Sequence, residues 1–297
     1  MTPSAAAALS APPDIVPREK LDFGFDQEIP KYWMGGDVFR TRFCDALSTI
    51  FPEGERFFIS CVRDFRDQVT DPQLLAEIKD FIRQEGQHGI IHSQFNAHLT
   101  RQGIRVDRME RFMKWWLFDV IRKYLPKKHT LAVTAASEHL TAIMAEAMFQ
   151  RKTVMGEADP RMFAMFAWHA MEEMEHKAVA FDVMQKVAKV GYLRRVLALV
   201  ETTLAFNFNV LSFTNAMLRR DGFSRWQRVK LFAKGLGWVY GPGGLFMGCW
   251  RSYLRYYKPS FHPWQEPPVP AYQVWLDTFN RTGDPVEAGR VVFAAAV

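Results

Sequence analysis

With 297 residues, 48% of them apolar, the chain is long enough to bury a sizeable core as one large domain or two. Its three cysteines, Cys44, Cys61 and Cys249, form no Cys-x-x-Cys pair, which argues against a disulfide framework or a thiolate metal site and fits a reducing cytoplasm. The net charge of +6 is concentrated late in the chain, and no groove-reading module accompanies it, so nucleic acid is not an expected partner.

Residues 1–30 read as a mobile N-terminal tail, rich at first in Ala and Pro and without the basic-then-apolar order of a secretory signal. A bundle is expected over 31–192. Its first helical stretch starts near Asp37 and is predicted to break at Pro52, which suits the first turn of a new helix. That helix carries the stripe Phe51, Glu55, Phe58, Val62, Phe65, Val69; Glu53 lies off it. Thr70-Asp71-Pro72 is a cap followed by a first-turn proline, and Gly103 closes the second helix. Leu74, Ile78, Phe81, Glu85, His88, His92, Phe95 and Leu99 form its stripe in alternating steps of four and three. Gly86 and Gly89 beside this pair of ligands call for close helix packing, or for room for a small ligand or a π-bulge.

Residues 108–125 form an extra amphipathic helix where a bundle needs a long crossover. The third stripe is Leu131, Ala135, Glu138, Ala142, Ala145, and the fourth is Met162, Phe166, His169, Glu173, His176, Ala180, Val183, Val187. Residues 193–265 contain two apolar runs, 196–218 with Glu201 as the only charge and 231–250 with Lys234 as the only charge. The basic cluster Arg219, Arg220, Arg225, Arg228, Lys230, Lys234 lies around their junction. The runs are long enough to cross a bilayer, but polar and glycine interruptions and basic residues at both ends favour an apolar helical hairpin packed on the bundle or lying on a membrane surface. Residues 266–297 form a C-terminal extension, of which residues 284–297 give no functional signal.

The four stripes share one anomaly: ionisable side chains occupy positions where leucine is expected. Residues three apart on a helix share a face, so Glu85-x-x-His88 and Glu173-x-x-His176 can each aim a carboxylate and an imidazole at one point. Glu55 and Glu138 add a lone carboxylate from each of the other two helices. Four buried carboxylates cannot stand together as anions without compensation, and two divalent cations would supply it. The predicted fold is therefore all-α, a ferritin-like four-helix bundle whose metal ligands and catalytic residues are Glu55, Glu85, His88, Glu138, Glu173 and His176. His169, four residues before Glu173, is a candidate seventh ligand. His92 is a candidate for orienting the ligands. His139 and His262 are expected to be structural.

This ordered set, with Phe51-Pro52-x-Gly54-Glu55 and Tyr257-Lys258-Pro259-x-Phe261-His262-Pro263-Trp264, resembles the bacterial family of predicted metal-dependent hydrolases over about residues 30–265. The resemblance implies a ferritin-like fold and metal-dependent hydrolysis. His169-x-x-x-Glu173-x-x-His176 is also similar to the third-histidine site of di-iron arylamine N-oxygenases, which implies oxygen activation.

The leading expectation is a non-haem enzyme with two Fe ions, Mn or Zn being alternatives, that uses dioxygen and an electron donor to hydroxylate, desaturate or N-oxygenate a small hydrophobic substrate. The alternatives are a dinuclear hydrolase acting on an ester or amide, and metal storage or a structural metal site. A cytoplasmic protein with peripheral membrane contact, and a homodimer, are both compatible with this reading.

Overall fold

The computed structural model describes residues 12–149, 152–266 and 268–295. Among them the chain is helical, with one isolated bridge between Met34 and Ala158 and no strand. Helix α1 (Val38–Arg63) begins at Asp37, whose carboxylate accepts from the Arg40 N–H. The break expected at Pro52 does not occur, and the proline lies inside the helix. A proline leaves the carbonyl four residues earlier without its helical donor. Here that carbonyl is Ser48 O, and Asn96 Nδ2 donates to it at 3.2 Å from the next helix.

Helix α2 (Pro72–Arg101) starts on the Asp71 cap and stays α-helical through Gly86 and Gly89, so no bulge forms there. Gly103, at φ +87°, turns the chain out of it. The crossover is α3 (Val106–Lys114), continued by a π-helical turn (Trp115–Ile121) and by Arg122–Tyr124. Helix α4 (Lys127–Phe149) and helix α5 (Pro160–His176), the latter capped by Asp159, complete the bundle. The contacts run α1 to α2, α2 to α5, α5 to α4 and α4 to α1, closing a four-helix ring. Two apolar clusters fill it, one containing Phe51, Phe95, Met162 and Phe166, the other Val62, Phe81, Leu131 and Val183. The ionisable stripe residues form a polar layer between them.

The tail expected over 1–30 is anchored on the bundle at several residues from Arg18 on, with exposed residues between them; residues 1–11 lie outside the described residues. Arg18, Phe23, Phe25, Ile29 and Trp33 are all buried. The reason is apolar content: Phe23, Phe25, Ile29 and Trp33 join the larger core cluster.

Beyond the bundle, α6 (Tyr192–Arg220) packs along α4 and α1, and it is long and apolar enough, by length and composition, to cross a membrane. Ser224 and Gln227 form a reciprocal capping box for α7 (Arg225–Tyr240). Gly235 of α7 rests on the Phe39 ring, where any Cβ would overlap it. The second apolar run stops being helical at Gly241 and resumes as the short helix Trp250–Arg255. Helices α8 (Pro270–Thr282) and α9 (Pro285–Ala295) pack together and against α5.

Candidate metal centre

The bundle brings all six predicted ligands into one layer. Glu55 comes from α1, Glu85 and His88 from α2, Glu138 from α4, and Glu173 and His176 from α5. None is more than 3% exposed. His176 Nε2 lies 3.3 Å from Glu85 Oε1, 3.4 Å from Glu138 Oε2 and 3.6 Å from Glu173 Oε1. Glu55, Glu85 and His88 offer ligand atoms within 4.8 Å of one another, and so do Glu85, Glu173 and His176. Glu55, His92 and His169 form a further group of this kind, as do His88, His169 and Glu173, so Glu55, Glu85, His88, Glu173 and His169 each belong to two groups.

Gly89 has a specific role in this layer. A Cβ there would stand 3.2 Å from Glu55 Oε2, so the missing side chain is room for the Glu55 carboxylate.

His169 is also in the layer, its ring stacked on that of His88 with centroids 4.0 Å apart. Its Nε2 is 3.0 Å from Glu173 Oε1 and 4.0 Å from Glu55 Oε1, while its Nδ1 is 2.7 Å from His92 Nε2. His92 in turn has Nδ1 2.9 Å from Ser48 Oγ. His169 reaches the layer with both nitrogens engaged, and His92 stands behind it. His139, by contrast, packs against Tyr256 and Phe261, and His262 Nε2 meets Asp182, both away from the layer.

The donor set fits a dinuclear metal group. Both oxygens of Glu55, Glu85 and Glu138, together with His88 Nδ1 and His176 Nε2, are buried without a hydrogen-bond partner. Buried polar atoms in a native core are nearly always paired, so eight convergent orphans call for a ligand. The other ring nitrogens are satisfied: His88 Nε2 lies 3.1 Å from Glu172 Oε2, and His176 Nδ1 lies 2.7 Å from Gln84 Oε1. With those nitrogens as donors, the inward lone pairs are left for metal. Carboxylates and imidazoles suit Fe, Mn or Zn.

Without cations the layer strains toward neutrality. Burial, reinforced by Glu85 and Glu173, holds the Glu55 and Glu138 carboxyls well above the usual range. Burial likewise pushes the His88 imidazole well below its usual value. For Glu173 and His176 burial opposes ionisation, yet their mutual attraction outweighs it, lowering the carboxyl and raising the imidazole.

Around the layer runs a hydrogen-bonded girdle that the stripes did not reveal. Glu172, which contacts His88, accepts from Arg18 Nη1 at 3.1 Å. Arg18 Nη2 reaches Glu175 Oε1 at 2.8 Å, and Glu175 Oε2 accepts from Gln84 Nε2 at 2.7 Å. Gln84 then holds His176. Tyr272 of α8 donates to Glu175 Oε1 at 2.9 Å. The available signal was Glu172-Glu173-Met174-Glu175-His176, three acids in an otherwise apolar helix end. A stripe reading passes over two of them because α5 is buried on every side from Met162 to His176.

An apolar cavity of about 420 Å³ lies beside the centre between α1, α3, α4 and α6. Phe51, Trp116, Leu140 and Phe206 are among its walls, with Thr141. Thr141 Oγ1 donates to Glu173 Oε2 at 2.6 Å, and the Phe51 ring packs on His92 and His169, so cavity and centre share a wall.

A closed four-helix bundle with four carboxylates and two imidazoles converging in its buried interior defines an all-α protein with a side-chain cluster that could hold metal ions. The chain belongs to the family described as predicted metal-dependent hydrolases, which it matches over residues 17–267. That match does not extend to arylamine N-oxygenases, whose similarity rests on ligand spacing. No curated protein and no solved structure matches the chain.

Proposed function

We propose that this protein is a dinuclear metal-dependent hydrolase that cleaves an ester or amide bond in a substrate with an apolar body. The observation that carries the reading is the wall shared by the cavity and the layer of candidate ligands, through Thr141 and Glu173. Family membership supports hydrolysis over the oxidative expectation.

Glu55, Glu85, His88, Glu138, Glu173 and His176 would hold two ions, which when bound lower the pKa of a water and polarise a carbonyl. The remaining work falls to the chain. Phe51, Trp116, Leu140 and Phe206 enclose the apolar body and exclude water. Thr141 fixes the Glu173 carboxylate in one rotamer. His169 Nε2–H donates to Glu173 Oε1 and helps hold that carboxylate in place, and His92 keeps the His169 ring aligned through Nδ1.

A second reading, dioxygen activation at two irons with an external electron donor, is favoured by the enclosure of the centre. A small apolar gas and a lipophilic substrate suit a buried layer reached through apolar walls.

The test is metal content of the purified protein, then removal of metal and anaerobic reloading with Zn, Mn or Fe(II), with acyl esters and amides of graded chain length as substrates. About two ions per chain are expected, as in other bundles with this ligand set. Hydrolysis should appear in the loaded protein and be lost, with metal, in Glu138→Gln. An oxygen-dependent absorbance band in the iron form, without hydrolysis by any form, selects the second reading. Failure to take up metal under any condition overturns both.

A further inference from the structure

Helix α6 has two faces with opposite fates. Ala198, Leu199, Val210, Met217 and Leu218 are buried against the bundle. Leu193, Leu197, Val200, Leu204 and Phe208, spaced by three and four residues along one seam, are exposed, Leu193 at 81% and Leu204 and Phe208 at 68% each. Trp115 and Tyr124 of the crossover and Trp226 at the start of α7 are exposed as well. A run of large apolar side chains along a 29-residue helix is more than the scattered exposure of an ordinary surface.

The charge around this seam is predominantly basic. Lys123, Lys127 and Lys128 stand where the crossover meets α4, Lys127 being 3.2 Å from Asp64, and Arg219, Arg220, Arg225 and Lys230 follow the far end of α6, against one exposed acid of the crossover, Asp119. The seam's one acid, Glu201, is turned to His129, 2.8 Å away. Asp221, at the end of α6, is taken up by Arg42 and Lys31. Apolar side chains between clusters of basic ones, with aromatic residues nearby, are the chemistry of a helix lying in the headgroup region of an anionic bilayer. Two copies of this chain meeting seam to seam would instead bring like charges together.

We propose that the exposed seam of α6, with its flanking lysines and arginines, docks the protein on the surface of an anionic phospholipid bilayer. Docking is peripheral. Crossing the bilayer would require α6 to leave α1 and α4 and to strip Arg195 from the carbonyl oxygens of Tyr256 and Lys258, to which it donates at 3.0 and 2.6 Å. Glu201, Ala205 and Phe206 of α6 line the apolar cavity, so the docked face adjoins the route to the metal layer. The docking stands on surface chemistry and is independent of which reaction the centre performs.

The full chain is sedimented with vesicles of phosphatidylcholine alone and with vesicles of phosphatidylcholine and phosphatidylglycerol in equal parts. Binding to the anionic vesicles should exceed binding to the neutral ones at least about tenfold and weaken with added salt. Leu204→Glu/Phe208→Glu should lose this binding at least about tenfold while keeping its metal content and melting temperature. If that variant melts early, Leu204→Ser/Phe208→Ser makes the same comparison with a milder change. Equal binding to both vesicle types, or none to either, overturns the proposal. So does a solution dimer that the same substitutions convert to monomer, which would assign the seam to a second copy of the chain.

Discussion

Gly89 and Arg18 act on the metal layer by different physics, one by leaving space and the other by supplying charge. Gly89→Ala should strengthen α2 by up to about 1 kcal/mol through helix propensity while its new methyl crowds Glu55. The expected outcome is an unchanged or raised melting temperature with weakened metal binding, read by thermal melts beside metal titration. Arg18→Met removes the cation between Glu172 and Glu175, and losing one partner of a buried pair costs about 3–5 kcal/mol. Burial already lifts the Glu172 carboxyl to about 8 against the pull of Arg18, so part of that cost is relieved by protonation. Metal affinity should fall about 10–100-fold in the same titration, the range found when groups behind a ligand are lost. The six ligands were legible because each interrupts an apolar stripe. Arg18 was not, because its partners lie 154 and 157 positions away and nothing local marks it.

Among the elements, α1 departs most from what its residues suggested. Pro52 is a sound reason to expect a break, and the rescue comes from Asn96, 48 residues beyond the freed Ser48 carbonyl. Asn96→Ala should therefore destabilise the fold by about 1–3 kcal/mol, the cost of an orphaned buried acceptor together with the lost Ser48 hydroxyl contact. Pro52→Ala restores an N–H in that turn and should recover much of the loss, so chemical denaturation of the two single variants and the double variant should give a clearly non-additive cycle. Additive costs would mean that Asn96 acts through something other than the carbonyl. Helix ends read more easily: Asp37, Asp71 and Asp159 all cap helices through hydrogen bonds within three residues, which is information the local sequence carries.

At the scale of the whole molecule, the metal-free bundle holds protons where it would hold cations. Burial, reinforced by Glu85 and Glu173, holds the Glu55 and Glu138 carboxyls well above the usual carboxylate range and so favours their neutral form, whereas binding a cation requires the anion. Metal uptake must therefore release protons, and apparent affinity should rise with pH. Calorimetric titration in buffers of different ionisation enthalpy checks the release. The gain in melting temperature on metal loading should shrink as pH falls, because ligand binding stabilises only as far as the site can be deprotonated. A gain independent of pH would place the ion elsewhere. The all-helical architecture, the crossover and the bundle were legible from periodicity. The packing of Arg18, Phe23, Phe25 and Ile29 was not, since these residues follow no helical period and gain their meaning only from partners far along the chain.

The girdle around the centre also has an order in time. Arg18 leaves the ribosome long before Tyr272, yet both grip Glu175. The four bundle helices can emerge and associate while Glu175 still lacks its tyrosine, so the final alignment of Gln84 and His176 waits for α8 to arrive. Maturation is thereby tied to the arrival of α8: a nascent chain halted before Pro270 presents its ligands with one brace missing.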